Sequence, residues 1–317
     1  MFVHQKEQNP DEEKFLSFFN DSVTKEFLLG KIRPAKDSMF IKVTTLHTER
    51  NIYLLRPVYA SFIKMFEAAQ EDGIQLLITS GHRSFVDQVC EWELKFNNQE
   101  NIEKFSDDLE RAKHVLKYRS MPGTSRHHWG TDIDLNSIKT EYFETEKGQM
   151  VYNWLKENAH LYGFYQPYTI QDENRPVGYC EEKWHWSYIP IAGTLLDKYL
   201  EMISKDDIKG FRGDKTVGSL DLITNWVCGI DKKLLEKKED QQNPYQNWQL
   251  KLYGHWDDRL QQGNWYYMDT YGNINKIAYE SGVVVEEAKN IGLSSGLESL
   301  FYEVFQSRFT DRLLSLK

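Results

Sequence analysis

Apolar positions recur at helical spacing over one long stretch and contract to short runs elsewhere. Pro57 opens the segment PVYASFIKMFEAAQEDG, in which Val58, Phe62, Met65, Phe66 and Ala69 share one face and Gly73 supplies the stop. That pattern predicts a helix. Residues 74–79, IQLLIT, form a short apolar run of the kind a buried strand shows, ending in the polar turn SGHRS. Helices are expected over 85–97 and 107–118, followed by a loop with Pro122 and Gly123. The segment SRHHWGTDIDL then reads as loop followed by strand. Residues 149–161 and 191–204 carry helical patterns, and the aromatic run 183–188 is β-prone. Before Pro57 the chain reads as an irregular approach with a short helix at 11–20 and a strand at 39–43.

Strands interleaved with helices, without a regular βαβ rhythm, predict an α+β fold: a small antiparallel sheet flanked by helices. Near 241–243 the composition changes, which places a boundary between residues 1–240 and 241–317. The second part has two Gly-x-Trp units, at 254–256 and 263–265, and a Gly272-Asn273 turn between alternating segments, a β-hairpin signal. From 296 to 316, eight apolar residues from Leu297 to Leu316 fall on one helical face. A C-terminal hairpin-and-helix appendage is therefore expected, and exposed tryptophans and tyrosines there could dock a partner.

The net charge of −9 argues against a nucleic-acid groove or an anionic membrane surface as the main partner. No apolar run approaches the roughly 20 residues of a membrane span. The first residues lack a basic start followed by an apolar stretch, so no signal peptide is visible. Cys90, Cys180 and Cys228 are far apart and form no CxxC pair, and their odd count leaves at least one thiol outside any intrachain disulfide.

Three pieces carry candidate chemistry. They are Ser80-Gly-His-Arg83-Ser84 with Gln88, the segment from Ser125 through His127 and Gly130 to Asp132 and Asp134, and Glu182-Lys-Trp-His185. Zinc favours imidazole nitrogen and carboxylate oxygen, and a catalytic site takes three protein ligands and leaves one position to water. Two histidines and one acid meet that need. A glutamate could receive the water's proton, and an arginine could stabilise an oxyanion. Each piece alone also has an ordinary reading. A histidine can be a surface or core residue, Asp132 and Asp134 an exposed pair on one strand face, and Arg83 a surface ion pair.

The ordered combination SGxRSxxxQ, SxHxxGxxxD and ExxH resembles the zinc D-alanyl-D-alanine carboxypeptidases and D,D-dipeptidases of bacterial cell-wall metabolism and vancomycin resistance, over roughly residues 76–191. Segments such as MPGTSRHHWGTDIDL look like a Bacteroidetes-type branch. The resemblance implies a hedgehog-like fold with Zn²⁺ in a groove, held by His127, Asp134 and His185. It implies Glu182 as catalytic base and Arg83 as the group that polarises the scissile carbonyl. Ser125 and Gln88 would line the substrate pocket. The family usually has a small residue where this chain has Asp132, which could touch substrate, orient a ligand or compete as one. His128 is expected to be structural or at the pocket rim. The implied substrate is a peptidoglycan stem peptide ending in D-Ala-D-Ala, which places the activity in the cell envelope. An L,D-carboxypeptidase, an endopeptidase, or a non-catalytic zinc binding module could use the same scaffold.

Overall fold

In the computed structural model, residues 22–236 are described together with the backbone of five strands between 249 and 288. The expected helices at 11–20 and 296–316 and the Gly272-Asn273 turn lie outside the described residues. The chain divides into two units, Met1–Val43 with Arg50–Pro244, and Thr44–Glu49 with Tyr245–Lys317.

In the first unit, strand β1 (Phe40–Lys42) pairs antiparallel with β2 (Tyr53–Leu55). Helix α1 (Arg56–Glu71) follows with Pro57 in its first turn, where a missing N–H costs nothing. Val58, Phe62, Met65, Phe66 and Ala69 are all buried, as their spacing requires. Within the apolar run, residues 74–77 form no regular element, and strand β3 is confined to Ile78–Ser80. Its partner β4 (Asp132–Leu135) ends at Leu135, opposite Ile78, so regular pairing does not reach back to 74–77.

Helix α2 (Phe85–Phe96) starts on a capping box in which Ser84 and Asp87 satisfy each other's backbone N–H groups. The polar stretch before 107 holds a short helix α3 (Gln99–Lys104) that periodicity did not reveal, begun by an Asn98 cap. Helix α4 (Asp108–Val115) follows, capped by Asp107. After β4 (Asp132–Leu135) come α5 (Glu146–Asn158), β5 (Phe164–Tyr165), β6 (His185–Tyr188) and α6 (Ile189–Met202).

The central sheet has the order β3-β4-β6-β5, antiparallel throughout. Register puts Asp132 opposite Ser187, Ile133 opposite Trp186, and Asp134 opposite His185. Because side chains alternate along a strand, one face carries Ile133, Leu135, Trp186 and Tyr188, all buried in the core. The other face carries Asp132, Asp134, His185 and Ser187. The fold is thus the α+β arrangement expected, with the polar face of its sheet reserved for chemistry.

The second unit is an antiparallel sheet in the order β11-β10-β9-β7, with β8 also on β9. Its strands are β7 (Gln249–Leu252), β8 (His255–Asp257), β9 (Leu260–Asp269), β10 (Ile274–Glu280) and β11 (Val283–Ala288). One hairpin was expected; β9 and β10 form it, and three further strands extend it.

Candidate metal centre and cleft

His127 enters from a 3-10 turn, Arg126–Trp129, that ends at Gly130 with φ +70°. Any side chain at Gly130 would be strained there, and its Cβ would come within 2.4 Å of the Phe40 ring. The turn is tied to the loop after β3, since Arg83 N–H donates to the His127 carbonyl at 3.1 Å. His185 and Asp134 arrive side by side on paired strands.

His127 Nε2 lies 3.4 Å from Asp134 Oδ1, and His185 Nδ1 lies 3.5 Å from the same oxygen. All three ligand-type atoms fall within 4.8 Å of one another. A tetrahedral centre with bonds of about 2.0–2.1 Å has ligand–ligand edges of about 3.3–3.4 Å, so the spacing suits a small cation. The chemistry suits one too. Asp134 Oδ1 is buried and accepts no hydrogen bond. Burial pushes the Asp134 carboxyl up, but His127, His185 and Arg83 outweigh it and hold the pKa at about 2. An ionised, buried oxygen facing two imidazole nitrogens is a group that a cation would satisfy.

The far nitrogen of each ring has its own partner. His127 Nδ1 is 2.8 Å from the Gly81 carbonyl, which can only accept, so Nδ1 carries the hydrogen and Nε2 the lone pair. His185 Nε2 is 2.9 Å from Asp132 Oδ1, which assigns the opposite tautomer and leaves Nδ1 facing the cluster. Burial lowers the His185 pKa, but Asp132, Glu182 and Asp134 outweigh it and raise the pKa to about 10. A proton and a metal ion compete for that Nδ1.

Glu182 is partly exposed, with Oε2 3.1 Å from His185 Nδ1. Arg83 is anchored by Nη1 on Gln88 Oε1 at 2.9 Å and Nη2 on Ser80 Oγ at 3.1 Å, leaving Nη2 4.0 Å from Asp134 Oδ2. Ser80, Arg83, Glu182 and the three ligand residues, with Ser125, Tyr168, Tyr179 and Trp184, line a cleft of about 160 Å³. A larger cavity of about 460 Å³ shares Tyr118, Arg119, Ile138, Glu182 and Trp184 with it.

Two expected pocket residues stand elsewhere. Gln88 is fully buried behind Arg83 and donates to the Ser120 carbonyl at 2.8 Å, so it braces the arginine and does not line the cleft. Asp132 is also fully buried and sits behind the His185 ring, away from the cleft. His128 is a core residue. Its Nε2 accepts from Gly123 N–H at 3.0 Å, its Nδ1 donates to the Arg83 carbonyl at 2.7 Å, and burial lowers its pKa to about 3. The residues not singled out from sequence are Arg126, Thr131, Ser187, Tyr168 and Tyr179. Arg126 had one signal in the sequence, a charged residue placed directly beside the candidate ligand His127.

The fold and the cluster together define a class, an α+β domain bearing a candidate metal centre with hydrolase-type side chains around it. Residues 51–191, which contain every residue of the cluster, match the VanY family model, described as D-alanyl-D-alanine carboxypeptidase, and the chain belongs to that family. A D-alanyl-D-alanine carboxypeptidase of Enterococcus faecalis is 28% identical over 144 residues, covering 43% of this chain and 51% of the relative. An uncharacterized protein of Haemophilus influenzae is 30% identical over 113 residues, covering 32% of this chain and 82% of the relative. The chain thus spans about half the length of the Enterococcus relative. A solved structure of VanYB in complex with D-alanine-D-alanine is 24% identical, with a TM-score of 0.41, covering 55% of this chain and 93% of that one.

Proposed function

We propose that the chain is a zinc peptidase that removes the terminal D-alanine from peptidoglycan-type stem peptides ending in D-Ala-D-Ala. The observation that carries this reading is the convergence of His127 Nε2, Asp134 Oδ1 and His185 Nδ1, with Glu182 and Arg83 beside them in one cleft. Those three atoms would hold Zn²⁺, which when bound supplies Lewis acidity toward the scissile carbonyl and lowers the pKa of a water.

The chain's own residues do the rest. Glu182 presents a carboxylate at the cleft wall, takes a proton from the attacking water and passes it to the leaving amine nitrogen. Arg83, fixed by Gln88 and Ser80, aims guanidinium N–H groups at the oxygen that gains charge in the transition state. Pre-anchoring matters, because a free arginine would have to be ordered during the reaction. The Tyr118–Trp184 side of the cleft, whose residues also line the larger cavity, leaves room for the rest of a stem peptide.

Such a substrate places the enzyme in the cell envelope, and among the described residues no helix is long and apolar enough to cross a membrane. Residues 241–317 are proposed as an accessory segment. Deleting them should leave peptide turnover unchanged, and a loss of turnover would refute the accessory role.

The deciding experiment is D-alanine release from a pentapeptide ending in D-Ala-D-Ala, with chelator and then zinc add-back. Release abolished by the chelator and restored by zinc supports the proposal. Release only from a tetrapeptide would move it to an L,D-carboxypeptidase. Stoichiometric zinc without hydrolysis would indicate a binding module.

A further inference from the structure

We infer that Arg126 and Asp132 form a buried charge pair that positions His185, holding its imidazole in the tautomer that leaves Nδ1 free for the metal ion. This rests on the metal-site reading above and extends it to two residues that touch neither the metal nor the substrate.

Both oxygens of Asp132 and two of the three guanidinium nitrogens of Arg126 are engaged, and Arg126 Nη1 is buried without a hydrogen-bond partner. Asp132 Oδ1 accepts from His185 Nε2 at 2.9 Å and from Arg126 Nε at 3.1 Å, while Oδ2 accepts from the Thr131 hydroxyl at 2.6 Å. Arg126 Nη2 donates to Ser187 Oγ at 2.7 Å, and the guanidinium lies over the Trp129 ring at 4.9 Å. The side chains of Arg126 and Asp132 are 1% and 0% exposed. Arg126 directly precedes His127, Asp132 is two residues before Asp134, and Ser187 is two residues after His185. One guanidinium therefore reaches all three segments that bring the cluster together.

Stability is a poor reason for such a pair. Desolvating two charges costs heavily, and apolar replacements of similar volume are often neutral or stabilising. A positioning role explains it better. An ionised carboxylate at Nε2 forces the hydrogen onto that nitrogen, directs the Nδ1 lone pair at the cluster and raises the basicity of the ligand. Asp132, Asp134 and Glu182 all crowd His185, and Arg126 offsets the charge of Asp132, the one that sits behind the ring. It also turns Asp132 away from the cation, so that Asp134 binds without competition.

The test uses the full chain with Zn²⁺ and Co²⁺ as probes. Zn²⁺ affinity is measured against a chromophoric chelator, and the visible bands of the Co²⁺-loaded protein are recorded. Asp132→Asn keeps the size of the side chain and should weaken Zn²⁺ binding about 10- to 100-fold and shift the Co²⁺ bands. The double variant Arg126→Met with Asp132→Ala removes both charges. It should melt near the parent temperature yet keep the affinity loss, which a purely structural pair would not produce. Folded variants that bind Zn²⁺ as tightly as the parent would overturn the inference. If the double variant does not fold, Asp132→Asn decides alone. A parent protein that takes up no zinc would instead refute the metal-site reading itself, so the two failures are distinguishable.

Discussion

The two histidines of the cluster come from unlike pieces of chain and are oriented by unlike partners. His127 sits in a 3-10 turn and is held by a backbone carbonyl, while His185 sits on a strand and is held by a carboxylate. Opposite ring nitrogens therefore face Asp134. The turn side depends on shape. Gly30 has φ +73°, and a Cβ there would stand 2.3 Å from His128 Nδ1, so the loop closes only around a glycine. The strand side depends on charge, with three carboxylates and a buried guanidinium around one imidazole. A site assembled this way should fail differently according to which side is damaged.

The largest effect should come from removing either ligand. His127→Ala and His185→Ala should both lose the metal and reduce turnover by at least about a thousand-fold, as read by metal content and D-alanine release. If one of them kept stoichiometric zinc, the two sides would not be equivalent ligands. Next comes Glu182→Ala, which should retain zinc while kcat falls about 10²- to 10⁴-fold. Full activity in that variant would remove Glu182 from the role of base.

Arg83→Ala should lower kcat about 10²- to 10³-fold with metal affinity little changed. Gln88→Leu should reproduce a fraction of that loss by freeing the guanidinium, and a Gln88→Leu enzyme with parental kcat would show that the brace is dispensable. The smallest catalytic effect is expected on the turn side. His128→Leu leaves the Gly123 N–H and Arg83 carbonyl without partners and should cost about 1–3 kcal/mol of stability. Its kcat per folded molecule should stay within a few-fold of the parent. A thermal melt and an active-site-normalised rate separate those two readouts.

Much of this arrangement was legible beforehand, for identifiable reasons. The helix opened by Pro57 carried a complete apolar face, and such a face has few ways to be buried. Asp132 and Asp134 share a parity on a short strand, and that alone placed them on one side of a sheet. The strand expected over 74–79 contracted to three residues, because pairing depends on the length of the neighbour and not on the apolar run itself. Helix α3 went unseen because five polar residues and a single isoleucine, Ile102, begun by an asparagine cap, have no apolar face to report.

Local sequence determined which side chains of this protein could do chemistry: imidazole, carboxylate and guanidinium are properties of residues, and their order and spacing marked the family. Only the tertiary structure decided what each of them faces. Gln88 was expected beside the substrate, and Asp132 beside the substrate, behind a ligand or as a competing ligand; both turned inward, one to brace Arg83 and the other to hold His185. Arg126 became the counter-charge of Asp132, six positions on, through the turn that carries His127, and Ser187 joined them through strand register. The reason is physical. A residue's chemistry is covalent and travels with the sequence, whereas its partners and its exposure are set by which strands pair, in which register, and by what is left buried when they do.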